Sequence, residues 1–185
     1  IRRYWILGIE CTLLEIHKLA YFLEKEVTSR EIENPLNLEF RANRYGPFSP
    51  RLGHLLNALD GSYLHCDKRL ADAGPLDVIG FDEKKMDRVT LYLATEAKLY
   101  LSSLDATSTL IDGFESPLGM ELLGTVDWLL HRQRVPRHAA EIREGLRKWR
   151  GGSGAGARKL RLFDGRLIGL AIDRLSSGTA GAGLH

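Results

Sequence analysis

Apolar residues recur at helical spacing along most of the chain, and this pattern predicts a mainly helical protein. The first amphipathic helix is predicted from Thr12 to about Glu26, and Thr12 and Glu15 have the spacing of a capping box. One-sided apolar stripes predict further helices at 50–59, 82–111, 117–131, 136–149 and 164–175. His17 lies beside the first stripe and is interpreted as a helix-surface residue.

Short alternating segments predict a minor β component. Apolar and polar residues alternate from Leu36 to Arg41, the period of a half-buried strand. Segments 63–66 and 76–79 are shorter strand candidates on either side of a turn-rich stretch. The fold class is therefore predicted as helix-dominated α+β, a compact multi-helix domain with a small β-sheet or ribbon. One domain is expected over 1–175, followed by a flexible tail at 176–185.

A tight corner at 45–50, Tyr-Gly-Pro-Phe-Ser-Pro, separates the first helix and strand from the second helix. Gly46 permits a positive φ, and Pro47 restricts the backbone angle that follows. Ser49 has the position of a helix N-cap and Pro50 that of a first-turn residue. We interpret this corner as the point on which two helices and a strand pack.

Composition and charge narrow the class of protein. The 185 residues suffice for a large domain, and no apolar run is long enough to cross a membrane. The start lacks the features of a signal peptide and an initiator Met, so a fragment of a longer protein is expected. Cys11 and Cys66 form no disulfide framework, so a cytoplasmic location is expected. Residues 1–130 hold 14 basic against 20 acidic residues, whereas residues 131–166 hold 11 against 3. Such a separation can orient a charged partner, although both regions also suit solvated faces.

The candidate chemical motifs are incomplete. The glycine-rich segment 151–156 lacks the Gly-Lys-Ser/Thr of a phosphate loop and follows a predicted helix, so it is interpreted as a linker. His65, Cys66 and Asp67, with His54, lack the partner spacing of a metal site. No catalytic residue, metal or cofactor is assigned, and the chain is expected not to be an enzyme. An alternative hypothesis is a helix-turn-helix-like nucleic-acid-binding regulator that uses the basic segment 131–166.

Five segments, in order, resemble the C-terminal domain of the DarG antitoxins. They span most of the chain and lie at 13–23, 44–49, 59–63, 113–123 and 158–164. The Gly-Phe-Glu-Ser-Pro block at 113–117 is the most specific of them. The helix followed by Tyr-Gly-Pro is also similar to the broader SocA-like (Panacea) antitoxin domains.

The resemblance implies a toxin-binding function. DarG proteins pair with DarT toxins, which use NAD to ADP-ribosylate thymidine in single-stranded DNA. The DarG macrodomain removes the modification, and the C-terminal domain holds the toxin inactive. No stretch here resembles the macrodomain, so the glycohydrolase activity is expected to be absent. The expected partner is a DarT-type toxin, with the chain a monomer or in a 1:1 heterodimer, and no membrane or cofactor is implied.

We hypothesise inhibition by steric occlusion with partial DNA mimicry. A toxin that grips DNA presents a positive groove, which the acidic residues of 1–130 can fill in place of phosphates. An aromatic and arginine hot spot at the corner is the alternative contact, although both rings also suit a core position. The candidate toxin-binding residues are Tyr45, Phe48, Arg51, Asp82, Glu83, Glu115 and Glu121.

Overall fold

The computed structural model describes Tyr4 and residues 9–180, without the side chains of 178–180. This part of the chain contains eight α-helices and two antiparallel two-stranded sheets, which confirms the helix-dominated α+β class. The helices are α1 (Leu13–Ser29), α2 (Pro50–Ala58), α3 (Met86–Ala94), α4 (Leu101–Leu110), α5 (Pro117–His131), α6 (Ala139–Arg147), α7 (Ala155–Leu162) and α8 (Gly165–Ala180). The strands are β1 (Arg41–Asn43), β2 (Gly46–Phe48), β3 (Leu64–His65) and β4 (Gly80–Phe81).

Three helices begin where their local sequence predicts. The Thr12 hydroxyl accepts the N–H of Glu15, and the Glu15 carboxylate accepts the N–H of Thr12 at 2.8 Å, which completes the capping box. The Ser49 hydroxyl accepts the N–H of Leu52, with Pro50 in the first turn of α2. Ser116 and Pro117 repeat this arrangement at α5.

Helix α5 lies at the centre of the molecule. Ten of its residues are buried, and it contacts α1, α6, α8 and strand β2. Leu123, Val126 and Leu129 are fully buried, as are Phe22 of α1 and residues of α6 and α8. The core therefore forms between helices from both ends of the chain, with α5 as the shared layer.

The two sheets are short hairpins at the edge of this core. Strands β1 and β2 pair Arg41 with Phe48 and Asn43 with Gly46, which leaves a two-residue turn at 44–45. Strands β3 and β4 pair Leu64 with Phe81. Because β2 contacts both α1 and α5, the first hairpin holds the corner against the two helices.

The strand predictions are only partly correct. Residues 36–40 are not a strand, because this segment lies against α1, where the Glu24 carboxylate accepts the N–H of Leu38 at 2.9 Å. Its alternation reflects packing of Leu38, which is buried, rather than pairing with another strand. In 76–79, Val78 forms one isolated bridge with Thr12, and the regular strand begins later, at Gly80.

Three helix predictions need correction. The expected helix at 82–111 is divided, because the chain turns after α3 and re-forms a helix only at α4. Helix α7 lies where the sequence analysis predicts no helix, between the glycine-rich linker at 151–156 and the helix expected from 164. Helix α8 continues to Ala180, so the first part of the expected tail is helical, while 181–185 lie outside the described residues.

None of the helices described here is both long and apolar enough to cross a membrane.

Candidate functional site

The corner at 45–50 lies over a group of buried charged side chains. Gly46 has a φ of +92°, as its position in the sequence predicts. Its α-carbon faces α1 and α5 so closely that an added Cβ would lie 3.0 Å from the Thr125 hydroxyl and 3.2 Å from Lys18 Cε. The corner thus closes directly onto two polar side chains of the core.

Four residues from three helices form this lysine–glutamate cluster: Lys18, Glu121, Thr125 and Lys159. All four side chains are buried. Lys159 Nζ donates to Glu121 at 2.6 Å and to Thr125 at 3.2 Å, and Lys18 Nζ donates to the Pro47 carbonyl at 2.8 Å. These hydrogen bonds join α7 to α5 and α1 to the corner, at buried positions where water does not compete for them.

Arg158 adds a further positive charge at the edge of the cluster. Its guanidinium donates to Glu121 at 2.6 Å and lies 4.8 Å from the centre of the Tyr45 ring. Arg44 lies over the same ring at 5.6 Å. Cation–π contacts from two arginines hold Tyr45 half-buried at the tip of the hairpin.

Both lysines have weakened basicity, because burial penalises their charged forms, and the excess of positive groups in the cluster is a smaller cause. The pKa of Lys18 is lowered to about 7, mainly by burial and then by the nearby Lys159, while Glu121 opposes the shift. Burial also lowers the pKa of Lys159 to about 8, against the raising effect of its Glu121 partner. Lys18 is thus close to losing its proton at neutral pH.

His17 is buried, which corrects the prediction of a surface position. Its ring stacks on Phe48 at 4.5 Å between centroids, and burial, followed by the charge of Lys18, lowers its pKa to about 3. The imidazole is therefore neutral at physiological pH. It accepts a long hydrogen bond of 3.5 Å from the N–H of Ser49, which ties α1 to the start of α2.

A cavity of about 260 Å³ lies between the corner and α1. Its wall contains His17, Lys18, Tyr45 and Phe48, with apolar residues from α1 and the 73–75 turn. A neutral imidazole and a weakly basic amine beside apolar surface can bind an apolar group that carries a hydrogen-bonding atom.

The predicted toxin-binding residues do not form one surface. Tyr45 and Phe48 lie together at the corner, and Arg51 lies nearby with its guanidinium paired to Glu39 at 2.7 Å. Asp82 accepts the N–H of Lys84 in a separate turn that it shares with the exposed Glu83, and Glu115 accepts the N–H of Gly113 at 2.6 Å. The structure therefore brings together only the corner residues.

Glu121 is not a surface carboxylate, contrary to the role expected for it. Its side chain is 2% exposed and its charge is compensated by Arg158 and Lys159. A carboxylate in this position cannot take the place of a DNA phosphate, because leaving the cluster would strand two cations in the core.

A second buried carboxylate, Asp127, lies one turn and a half along α5. It accepts hydrogen bonds from Tyr21 at 2.7 Å and from Lys25, and His131 lies 3.5 Å away. Burial and the negative charge of Asp127 raise the pKa of Tyr21 far above its ordinary value. The arrangement links α1 to α5 and is structural in character.

The basic segment 131–166 is partly directed into the protein. Lys159 is buried in the cluster, Arg158 pairs with Glu121, and Arg143 donates to the Phe163 carbonyl at 3.0 Å. Glu144 pairs with both Arg147 and Lys148. The basic side chains of α6 and α7 are thus largely matched by partners of the same chain, which leaves less positive surface than the sequence suggests.

In the described part of the chain, neither the two thiols nor the His65-Cys66-Asp67 segment forms a metal site. Cys11 and Cys66 are both free, and burial raises the pKa of Cys11 to about 12, so its thiol is not nucleophilic. Among the described residues, no group of three or more His, Cys, Asp or Glu side chains has an arrangement suited to a metal ion.

Sequence reasoning misses Lys18 and Lys159, because lysine is ordinarily a surface residue. One signal for Lys18 is its spacing: it lies four residues after Leu14 and three before Tyr21, both of which are buried. The predicted apolar stripe of α1 instead included Leu19 and Leu23, which are only half-buried. The buried face of α1 therefore includes Lys18.

Comparison with known proteins identifies relatives over most of the chain. A DNA ADP-ribosyl glycohydrolase of Mycobacterium tuberculosis (strain ATCC 25618 / H37Rv) is 33% identical over 165 residues, which are 88% of this chain and 43% of the relative. A protein of the same name from Mycobacterium bovis (strain BCG / Pasteur 1173P2) gives the same values. One from Thermus aquaticus (strain ATCC BAA-2747 / Y51MC23) is 32% identical over 79% of this chain. No protein-family model matches.

These relatives correct the expectation that the chain is not an enzyme. All three carry the name of an enzyme, a glycohydrolase, and they match most of this chain. The chain spans less than half the length of the relatives that it matches. It is therefore related, over most of its own length, to a part of the DNA ADP-ribosyl glycohydrolases, as a DarG-related domain.

Proposed function

We propose that the chain is a toxin-binding domain that holds a DarT-type DNA ADP-ribosyltransferase inactive. The proposal follows from the resemblance to the C-terminal domain of DarG and agrees with the DarG-related sequence of its relatives. The toxin is expected to form a 1:1 complex with the chain and to lose access to single-stranded DNA.

The observation that carries the proposal is spatial. Four of the five segments that resemble the DarG domain supply a residue to one place: Lys18 from 13–23, Gly46 from 44–49, Glu121 from 113–123 and Lys159 from 158–164. The segments that resemble the family are distant in the chain, and they meet in the folded protein. The segments that carry the resemblance thus form one connected part of this domain, which supports a resemblance of the whole domain.

Surface charge supports an occlusion mechanism in a reduced form. With Glu121 buried, the acidic candidates for contact with a positive groove are Asp82, Glu83 and Glu115. The corner offers Tyr45, half-buried between two arginines, and Phe48 as candidate aromatic contacts. Occlusion then combines a few carboxylates with an aromatic contact, rather than a continuous imitation of DNA.

The test is inhibition of the purified toxin. The cognate DarT-type toxin is incubated with NAD and a thymidine-containing single-stranded oligonucleotide, with increasing amounts of the chain. We expect modification of the oligonucleotide to cease near one equivalent, together with co-elution of the two proteins. Full toxin activity in the presence of excess folded chain would overturn the proposal.

A second candidate function is glycohydrolase activity, which the name of all three relatives favours. Its test uses an oligonucleotide that already carries ADP-ribose and measures the release of free ADP-ribose. Release of ADP-ribose by the chain alone would assign the reaction to the part of the relatives that this chain matches. Absence of release under conditions that keep the chain folded would assign it to the remainder of their length.

A further inference from the structure

The cavity between the corner and α1 has the size of a one-ring ligand. Its volume is about 260 Å³, whereas a protein cavity of about 150 Å³ suffices to bind benzene. Leu13, Leu14 and Pro75 contribute apolar surface to the wall, and Phe48 contributes an aromatic ring. The His17 ring, which is stacked on Phe48, lies in the same wall. The space therefore suits one aromatic ring with a small polar substituent.

The polar side chains in the wall of this cavity all carry hydrogen-bond donors. They belong to His17, Lys18, Asn43, Arg44 and Tyr45, and the described wall contains no acidic residue. Asp77, which follows the 73–75 turn, lies outside the wall and pairs with Lys68 at 2.9 Å. The side-chain oxygen of Asn43 already accepts the N–H of Arg44 at 2.6 Å, so its amide offers the NH2 end. A ligand that fits this wall must supply acceptors.

His17 holds one donor that the described part of the protein does not use. Its Nδ1 accepts the N–H of Ser49, so the proton of the neutral ring is on Nε2. This Nε2 donates to no described residue, and it is not among the polar atoms that are sealed from solvent without a partner. Because His17 is only 4% exposed and lies in the wall, the open side of Nε2 is the cavity. A buried donor of this kind can fix the polar atom of a ligand.

The charges beneath the cavity favour an anionic ligand. The carboxylate of the lysine–glutamate cluster, Glu121, already accepts hydrogen bonds from Arg158 and Lys159 at 2.6 Å each. Lys18, which lies in the cavity wall, donates to the Pro47 carbonyl instead. The cluster thus has more cationic than anionic groups, and a negative charge in the cavity would balance part of this excess.

We propose that this cavity is a binding site for a small aromatic carboxylate. The ring of such a ligand packs on Phe48 and on the apolar side chains of α1, and its carboxylate accepts the Nε2–H of His17. Arg44 is exposed at the tip of the hairpin, where its guanidinium lies over the Tyr45 ring and can turn to the carboxylate. A site of this kind can exist whether or not the chain binds a toxin, so the two proposals stand or fall separately.

The experiment titrates the purified chain with three probes: benzoate, benzamidine and acetate. Benzoate has both the ring and the carboxylate, benzamidine has nearly the same shape with the opposite charge, and acetate lacks the ring. NMR spectra of the isotope-labelled chain measure Kd and show which amide groups shift. We expect a Kd on the order of 1 mM for benzoate, and binding of benzamidine and acetate at least about tenfold weaker. The largest shifts are expected at 13–18 and 43–48.

Two wall variants and one control test the named contacts. His17→Phe keeps a ring on Phe48 but removes the Nε2–H, and Arg44→Gln removes the guanidinium. Each should weaken benzoate binding by at least about fivefold. Arg41→Gln is the matched control, because Arg41 is exposed on the same hairpin outside the wall, and it should change Kd less than about twofold. Circular dichroism tests folding, and Arg44→Gln, at an exposed turn, decides the question if His17→Phe does not fold.

Four outcomes would overturn the proposal. One is the absence of any shift with benzoate up to about 20 mM. Equal affinity for benzoate and benzamidine would show that the wall does not select an anion, and equal affinity for benzoate and acetate would show that the site needs no ring. The last is a Kd that neither wall variant changes, because benzoate then binds elsewhere. Inhibition of the toxin, or its failure, alters none of these outcomes.

Discussion

At the scale of single residues, Lys18 is the least ordinary feature of the protein. Its ammonium group is buried and donates a hydrogen bond to the Pro47 carbonyl. The carboxylate of the cluster, Glu121, is already hydrogen-bonded to the second lysine, Lys159. A charge in such a place costs folding free energy, because it loses its hydration without a full ion pair. The cost falls when the amine loses its proton, so stability must depend on pH.

The direction of this dependence follows from the lowered pKa of Lys18, about 7 in the folded protein. The ordinary value near 10.4 applies to the unfolded chain. Between these values the unfolded chain binds more protons, so the free energy of unfolding rises with pH, by at most about 1.4 kcal/mol per pH unit. We predict that Lys18→Met reduces this slope between about pH 7 and 9.5, measured by urea denaturation at several pH values.

The control for this prediction is Lys98→Met, at an exposed position. It should leave the slope unchanged. Lys159, whose pKa is also lowered, keeps part of the slope in the Lys18 variant. Measurements stop near pH 9.5, because the raised pKa of buried Tyr21 produces the opposite dependence at higher pH. An identical slope in Lys18→Met and in the unaltered protein would contradict the burial of a weakly basic amine.

Gly46 permits a second prediction at this scale. A side chain there meets both a positive φ and contacts at 3.0 and 3.2 Å, so Gly46→Ala should lower the free energy of unfolding by about 1–3 kcal/mol. Gly53→Ala is the matched control, since Gly53 lies in α2 with no atom within 4 Å of an added Cβ. This control should raise stability by about 0.5–1 kcal/mol in the same denaturation experiment. Equal effects of the two changes would argue against the tight corner.

At the scale of elements, the close approach of α6 and α7 is a contact that the sequence does not predict. An added Cβ on Gly156 would overlap the backbone carbonyl of Leu146, which cannot move away as a side chain can. We predict that Gly156→Ala lowers the free energy of unfolding by about 1–3 kcal/mol, measured by thermal denaturation. Gly169→Ala, in α8 with open space around it, should be neutral or stabilising. A variant at 156 as stable as the one at 169 would refute this helix contact.

Helix starts are the elements that sequence reasoning predicts best. Thr12, Ser49 and Ser116 cap their helices as expected, because a cap depends on residues within three positions of itself. Secondary-structure predictions are wrong for segments whose conformation depends on tertiary contacts. The alternation at 36–41 is used for packing on α1, and α7 begins inside a glycine-rich stretch because its neighbours require a close approach.

The same distinction applies to the site. Tyr45, Gly46 and Phe48 are predictable, since aromatic residues around a Gly-Pro corner are a local signal. The cluster beneath them is not, because Lys18, Glu121 and Lys159 are far apart in the chain and each resembles a surface residue by type. Only the fold shows that their charges meet.

At the scale of the whole molecule, the charge separation in the sequence is smaller on the surface. Glu15, Glu121 and Asp127 are buried members of the acidic part, and Lys159 is a buried member of the basic part. Internal pairing thus removes charge from both regions. The acidic residues that remain at the surface are spread over several elements, for example Glu31, Asp72 and Asp105.

The occlusion proposal predicts a salt-dependent complex. If carboxylates of the chain replace DNA phosphates, the Kd for the toxin should rise on the order of tenfold between about 50 and 300 mM salt. The double variant Asp82→Asn/Glu83→Gln should flatten this dependence, whereas Glu141→Gln, at an exposed position of α6, should not. The measurement is a calorimetric titration at several salt concentrations. A Kd independent of salt would rule out charge mimicry and leave shape as the means of inhibition.

The hairpin that carries the corner is fastened from both ends of the chain. Lys18 of α1 reaches the Pro47 carbonyl, while Arg158 covers Tyr45 and the Trp149 indole donates to the Asn43 carbonyl at 3.0 Å. A version shortened before α7 would retain every residue of the hairpin, and still lose the contact between Arg158 and Tyr45. By the same reasoning, the exposed glycines at 152 and 154 are a suitable place to split the protein into two complementing pieces, whose reassembly would report directly on the seating of the corner.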